Sequence, residues 1–432
     1  MTHWRCLSGW LPHLSTFVSF GIIQFAQMVL PLLALPYLAR VVGPEAFGNI
    51  LYMLTVSAVI AVGVEWGFAM SAVRDVALHR HDQEGIANAV GGILGAKCIL
   101  AATCVAIAAA GWMILPLAQQ QPAGYVLAVA NGILLGLNPL WFYQGTGSGV
   151  TRVAALEALS GLFVLLLMLP LVTRPDDWSR YLFLLLLMRA LAYAWLMIAP
   201  VQLVMVKGLG IQAAMRAIIK ATPLFIARLG ALGNTHGLTL IMGSILPTDK
   251  LALLMASDKI ARCVVSLTTP AVQTLFPELC ATNDYLTARR MAHRIALYTG
   301  IVMGLAGALL WITSPLVIGL ALGDGYADAV PLLRILCLLV PLLAVNASLA
   351  AHGFVACGHE RALTAVMCLV AVPALAATPP LLRAFGATAG AWLPVCMESA
   401  ILLLFVVLLW RQSSSPNMHR HHSAASHKPS SG

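Results

Sequence analysis

Residues 295–321 read IALYTGIVMGLAGALLWITSPLVIGLA, with no Asp, Glu, Lys or Arg among them. At about 1.5 Å of rise per residue a helix of this length exceeds the roughly 30 Å hydrocarbon core of a bilayer. Similar apolar windows recur on both sides, at 14–38, 46–71, 88–114, 122–143, 154–173, 181–205, 217–245, 251–277, 329–355, 362–382 and 387–410, which makes twelve. Interior prolines such as Pro31, Pro36, Pro270 and Pro341 would break soluble helices. They are tolerated where neighbouring helices satisfy the freed carbonyls, and they kink the helix there. Apolar residues fill 60% of the 432 positions and charged residues 9%, too few to cover a water-facing surface. The reading is an all-α integral membrane protein of about twelve transmembrane helices, in two pseudo-symmetric six-helix bundles around a central cavity.

An even number of crossings puts both termini on one side. The connections on that side carry thirteen Lys and Arg, among them Arg5, Arg74, Arg80, Arg289, Arg290 and Arg411; the opposite connections carry five, Arg40, Arg174, Arg180, Lys250 and Arg383. Basic loops stay in the cytoplasm, so both termini are expected there. The formal charge of +9 is thus an orientation signal and not a nucleic-acid footprint. Setting residue i against i+204 lays Gly43-Pro44-Glu45 on Pro247-Thr248-Asp249 and the first windows on the seventh and eighth. The expected organisation is a lead at 1–13, lobes at 14–205 and 217–410, a linker at 206–216 and a disordered tail at 411–432, whose Ser, Pro and His content favours solvation. The cysteines lack paired spacing and read as small core residues.

Charges inside the windows are expensive, about 2.5 to 3.5 kcal/mol each at the bilayer centre on insertion scales, so they mark water-lined paths or partners. The basic ones are Lys97, Arg189, Lys220, Arg228, Lys259, Arg262 and Arg334; the acids are Glu65, Glu157, Asp258 and Glu398. Lys220 reads as snorkelling to an interface and Glu157 as a first-turn acid on the helix dipole. Arg228 lies near mid-span, with Thr235 and Thr239 expected on its face, and Asp258 pairs with Arg262 at i, i+4. Gln24 and Gln27 supply hydrogen-bonding groups on the first helix. The cationic surplus, Arg228, Lys259, Arg262, Lys97, Arg189 and Arg334, suits an anionic substrate, and Arg suits phosphate in particular. Asp258, Glu65 and Glu398 are the candidate ion-pair or coupling acids. No catalytic set, metal motif or nucleotide loop stands out, so no cofactor is expected and uphill work would draw on a proton or sodium gradient or the substrate's own.

The run Tyr37-Leu38-Ala39-Arg40-Val41-Val42-Gly43-Pro44-Glu45-Ala46-Phe47-Gly48 resembles the first loop of the Wzx-type oligosaccharide flippases, the polysaccharide transporter branch of the multidrug, oligosaccharidyl-lipid and polysaccharide exporter superfamily. Gly67-Phe68, Ser71-Ala72-Val73-Arg74, Trp141-Phe142-Tyr143-Gln144-Gly145, Lys259-Ile260 and Phe276-Pro277 extend the likeness. Where relatives commonly open the eighth span with Gly and Tyr, this chain has Lys250-Leu251-Ala252. The resemblance implies two lobes, an alternating cavity, a bacterial inner-membrane location and an undecaprenyl-pyrophosphate-linked oligosaccharide as cargo, with membrane lipid, a polysaccharide polymerase and a chain-length regulator as partners. Two other readings stay open: a cation-coupled multidrug exporter, which would want an acidic cavity, and a membrane polysaccharide polymerase, which would want a longer external loop than any here.

Overall fold

The computed structural model describes residues 4–80, 82–207, 210–268, 285–355 and 360–413, and regular structure within them is helical throughout. The first half holds α1 (Trp4–Glu65), α2 (Phe68–Leu78), α3 (Gln83–Ile114), α4 (Pro116–Gln120), α5 (Pro122–Gly136), α6 (Leu140–Thr146), α7 (Val150–Leu171), α8 (Trp178–Leu196) and α9 (Ile198–Lys207). The second holds α10 (Ile211–Leu232), α11 (Leu238–Ile245), α12 (Thr248–Ser266), α13 (Tyr285–Ala321), α14 (Ala329–Leu336), α15 (Leu339–Ser348) and α16 (Glu360–Ser413). Residues 414–432, most of the expected tail, and the Phe276-Pro277 motif lie outside the described set.

Among the described residues eight stretches are long and apolar enough to cross a bilayer. Two of them, Leu33–Leu78 and Ala362–Trp410, are double length, and each is broken at a glycine in the left-handed region, Gly43 (φ 77°) and Gly386 (φ 58°). Only glycine occupies that region without a Cβ penalty. Counting both halves of each, and adding α10 with α11 and then α12, about twelve helical segments stand among the described residues, in keeping with the hydropathy windows.

By packing, the chain forms two compact units: unit 1 is Met1–Ser257 with Thr313–Leu332 and Ala377–Gly390, and unit 2 is Asp258–Ile312 with Leu333–Ala376 and Ala391–Gly432. In unit 1, Gly124, Ala128, Gly132 and Gly136 recur every fourth residue along α5. A Cβ on Gly132 would meet the Ser57 carbonyl and Ile60, and one on Gly136 would meet Val64. With those Cβ atoms absent the backbones approach closely enough for Ser57 Oγ to donate to the Ala128 carbonyl at 2.8 Å. This is how apolar helices associate without a hydrophobic drive between them.

The motif around Gly43 is a packing device of the same unit. Tyr37 donates to the Leu169 and Val172 carbonyls at 2.8 and 2.9 Å, near the end of α7, and the Arg40 guanidinium donates to the Leu320 carbonyl at the end of α13. Tyr326 returns a hydroxyl to the Ala39 carbonyl at 3.1 Å. Gly48 lies against the Thr248 carbonyl and the Ala252 methyl, and Ala252 is its own counterpart at the 204-residue offset. Unit 2 has its own core, where Phe354 and Phe405 pack at 4.7 Å among Ile401, Leu349 and Leu409.

Candidate functional site

The charged side chains inside the helices fall into two sets. In unit 1, Lys97 on α3 is 1% exposed. Its Nζ donates to the Gly136 carbonyl at 2.6 Å and the Asn138 carbonyl at 3.5 Å, and lies 5.9 Å from the Trp141 ring centroid. Those carbonyls lie at the C-terminal end of α5, where the helix dipole is negative and a cation is stabilised. Arg189 on α8 donates to the Oδ1 of buried Asn131. Glu157 accepts from Tyr193 at 3.0 Å and from Asn138 at 3.4 Å, which links the groups into one network. Glu157 therefore sits two turns inside α7, which begins at Val150, and acts through side-chain partners instead of a helix end.

Several other positions also serve the fold. Lys220 is paired with Asp75 of α2. Glu65 accepts from the Ala69 N–H at 2.6 Å, which places its carboxylate at the positive end of α2. Between them Trp66 holds φ 47° and Gly67 φ 85°, ending α1. Trp66 is not a glycine, and its strain is held by stacking on Phe225 at 3.7 Å and by Nε1 donating to Thr222 at 3.2 Å.

In unit 2, α12 presents Asp258, Lys259 and Arg262. The Arg262 Nε donates to both Asp258 carboxylate oxygens, at 2.9 and 2.7 Å, and the two side chains are 31% and 30% exposed. Glu398 on α16 lies within electrostatic range of Arg262, and Lys259 within range of Asp258 and Arg262. Asn346 on α15 donates to the Glu398 carboxylate at 2.6 Å and to its carbonyl at 2.9 Å, while its own Oδ1 is buried with no partner among the described residues. The cluster therefore holds two cations and two acids, so the surplus expected on α12 is offset by Glu398 from a distant segment. The guanidinium commits its Nε edge to Asp258, and the half-buried setting leaves the group reachable.

Arg334 is exposed, with its guanidinium carbon 5.0 Å from the Trp311 ring centroid. Gln24, Gln27 and Arg228 lie on helical backbone, with side chains outside the described set. The face expected to run from Arg228 through Thr235 to Thr239 is interrupted, because Gly233–Gly237 forms a π-helical turn whose wider period rotates the residues beyond it. Asn346 and Asn131 were not among the expected site residues. The signal for both is an amide within an otherwise apolar helix.

The chain is thus a multi-pass helical membrane protein with charged clusters held inside its helices. It belongs to the polysaccharide biosynthesis protein family, whose sequence pattern matches residues 15–282. It is similar to proteins named "Putative O-antigen transporter": one from Escherichia coli (strain K12), 20% identical over 90% of this chain and 95% of the relative, and one from Shigella dysenteriae, 20% identical over 89% and 97%. Its fold is similar to that of a multidrug resistance MATE family transporter of the MOP superfamily in an inward-facing conformation, with TM-score 0.60 and 13% identity over 90% of this chain and 98% of that one.

Proposed function

We propose that the chain is a flippase that carries an undecaprenyl-pyrophosphate-linked oligosaccharide, an O-antigen, capsule or exopolysaccharide repeat unit, from the cytoplasmic to the periplasmic leaflet by alternating access. Family membership and two end-to-end relatives named for O-antigen transport support the cargo class. The observation that carries the reading is the half-buried cluster of unit 2, where Lys259 and the open edge of Arg262 are donors suited to a phosphate. Lys97 drops from the binding set because its ammonium is engaged on two backbone carbonyls, whereas Arg189, which gives one N–H to Asn131, stays a candidate. Arg228, Gln24 and Gln27 stay candidates on sequence grounds, as do lobes at 14–205 and 217–410.

The same cluster supports a route for coupling. With Glu398 ionised the four charges sum to zero; with Glu398 protonated they sum to one positive charge, which favours an anionic head group. Proton uptake and release at Glu398 would then alternate strong and weak binding, drawing on a proton gradient. The thirteen-to-five charge imbalance supports placing both termini in the cytoplasm of a bacterium, with the protein in the inner membrane, delivering units to a polymerase and its chain-length regulator.

The test is flipped lipid-linked oligosaccharide per unit of folded protein in proteoliposomes. Arg262→Ala should lower it about tenfold or more, the effect of losing a charge-assisted contact of about 1.5 to 3 kcal/mol. An unchanged ratio would remove Arg262 from the binding role, and polymerised glycan made by the purified protein would replace transport with catalysis.

A further inference from the structure

Unit 2 contains an apolar groove of about 640 Å³ between α13, α15 and α16. One wall is the α13 stripe His293, Ala296, Leu297, Gly300 and Ile301, whose spacing of three and four residues keeps them on one face. The opposite wall is Leu402, Val406, Leu409 and Trp410 of α16, with Val345 and Leu349 also lining the groove. The rim is open: Leu297 is 63% exposed, Ile301 52% and Val406 53%. In a water-soluble domain such a trough would be a liability, but in a bilayer it is a seat for hydrocarbon.

Two observations say which hydrocarbon. The α13 stripe continues at its N-terminal end into exposed Arg290, with exposed Arg294 one residue beyond His293. Trp410, 68% exposed, stands at the C-terminal end of the opposite wall, where interfacial aromatics gather. From Arg290 to Ile301 is eleven residues, about 16 Å along the helix, or roughly the depth of one leaflet. An apolar trough one leaflet deep with a cationic mouth is complementary to an amphiphile with an anionic head.

We propose that this groove seats the head-proximal hydrocarbon of a polyprenyl phosphate lipid, the anchor of the cargo, with its phosphate held at Arg290 and Arg294 as the lipid enters, before it passes to the cluster of Lys259 and Arg262. The assignment of the occupant rests on the flippase reading, since a lipid-linked cargo must lodge its tail while its head is handled. The groove thereby holds the anchor in one leaflet and keeps the rest of the tail in lipid.

A polyprenyl monophosphate bearing a diazirine near its head should photolabel α13 and α16 peptides of the full-length protein in nanodiscs. Ile301→Trp and Leu297→Trp fill the groove from its exposed rim and should each cut labelling about tenfold, the loss expected when two methylenes leave apolar surroundings. Arg290→Glu with Arg294→Glu should cut labelling by the phosphate and spare labelling by the uncharged polyprenol. Undiminished labelling in both tryptophan variants would overturn the proposal, as would equal competition from dioleoyl phosphatidylglycerol. The two readings fail separately: wild-type labelling as described, with no oligosaccharide flipped, retains the groove and removes the flippase, whereas flipping sensitive to Arg262→Ala with no groove labelling does the reverse.

Discussion

Lys97 and Arg262 are both cations within apolar helices, yet their surroundings differ in kind. Lys97 is sealed at 1% exposure with its ammonium on backbone carbonyls, whereas Arg262 keeps 31% exposure and shares a charge-balanced cluster. A cation whose donors are satisfied by fixed carbonyls cannot release them to a ligand without leaving those carbonyls bare. One with an open edge beside side-chain acids can. The intramembrane charge that marks a pathway is the one whose partners are exchangeable.

The largest expected effect sharpens that contrast at Arg262. Arg262→Ala should reduce flipping per folded molecule about ten- to a hundredfold, while Arg262→Lys should recover part, because Lys keeps the charge and loses the planar fork. Equal loss in both variants with a fall in folded protein would instead make Arg262 a structural pair member and dissolve the comparison. Lys97→Met comes next: it strands the Gly136 carbonyl in an apolar interior, at a cost of about 1 to 3 kcal/mol, so the melting temperature of detergent-solubilised protein should drop while flipping per folded molecule stays level. A large transport defect with an unshifted melting temperature would move Lys97 into the pathway.

Smaller effects test the coupling and the helix ends. Glu398→Gln mimics the protonated acid and its amide oxygen can still accept a hydrogen bond from Asn346, so the variant should insert normally and lose the response of transport to an imposed pH gradient. A wild-type response would exclude Glu398 as the coupling group. Glu65→Gln removes a negative charge from the start of α2 and should destabilise by about 0.3 to 1 kcal/mol, read as a melting shift of a few degrees at most.

What could be read in advance follows the distance over which each feature is encoded. Asp258 and Arg262 stand four residues apart on one helix, so their pairing is a local consequence of 3.6 residues per turn, and the structure has it at 2.7 Å. Likewise Gly43-Pro44 marks a break because glycine alone takes its φ without penalty. The face running from Arg228 to Thr239 failed for a local reason that hydropathy does not encode, the π-helical turn at Gly233–Gly237.

The recurrence of long apolar helical segments was legible in the sequence alone, because in hydrocarbon a helix satisfies its own backbone hydrogen bonds within one segment. The partners of each buried charge were decided only in three dimensions. Gly136 lies 39 residues from Lys97 and Asn346 lies 52 from Glu398, separations that no periodicity spans. Carbonyls of other helices are invisible to composition, since every residue has one, so whether a buried Lys is satisfied or available emerges only when packing brings a helix end against it.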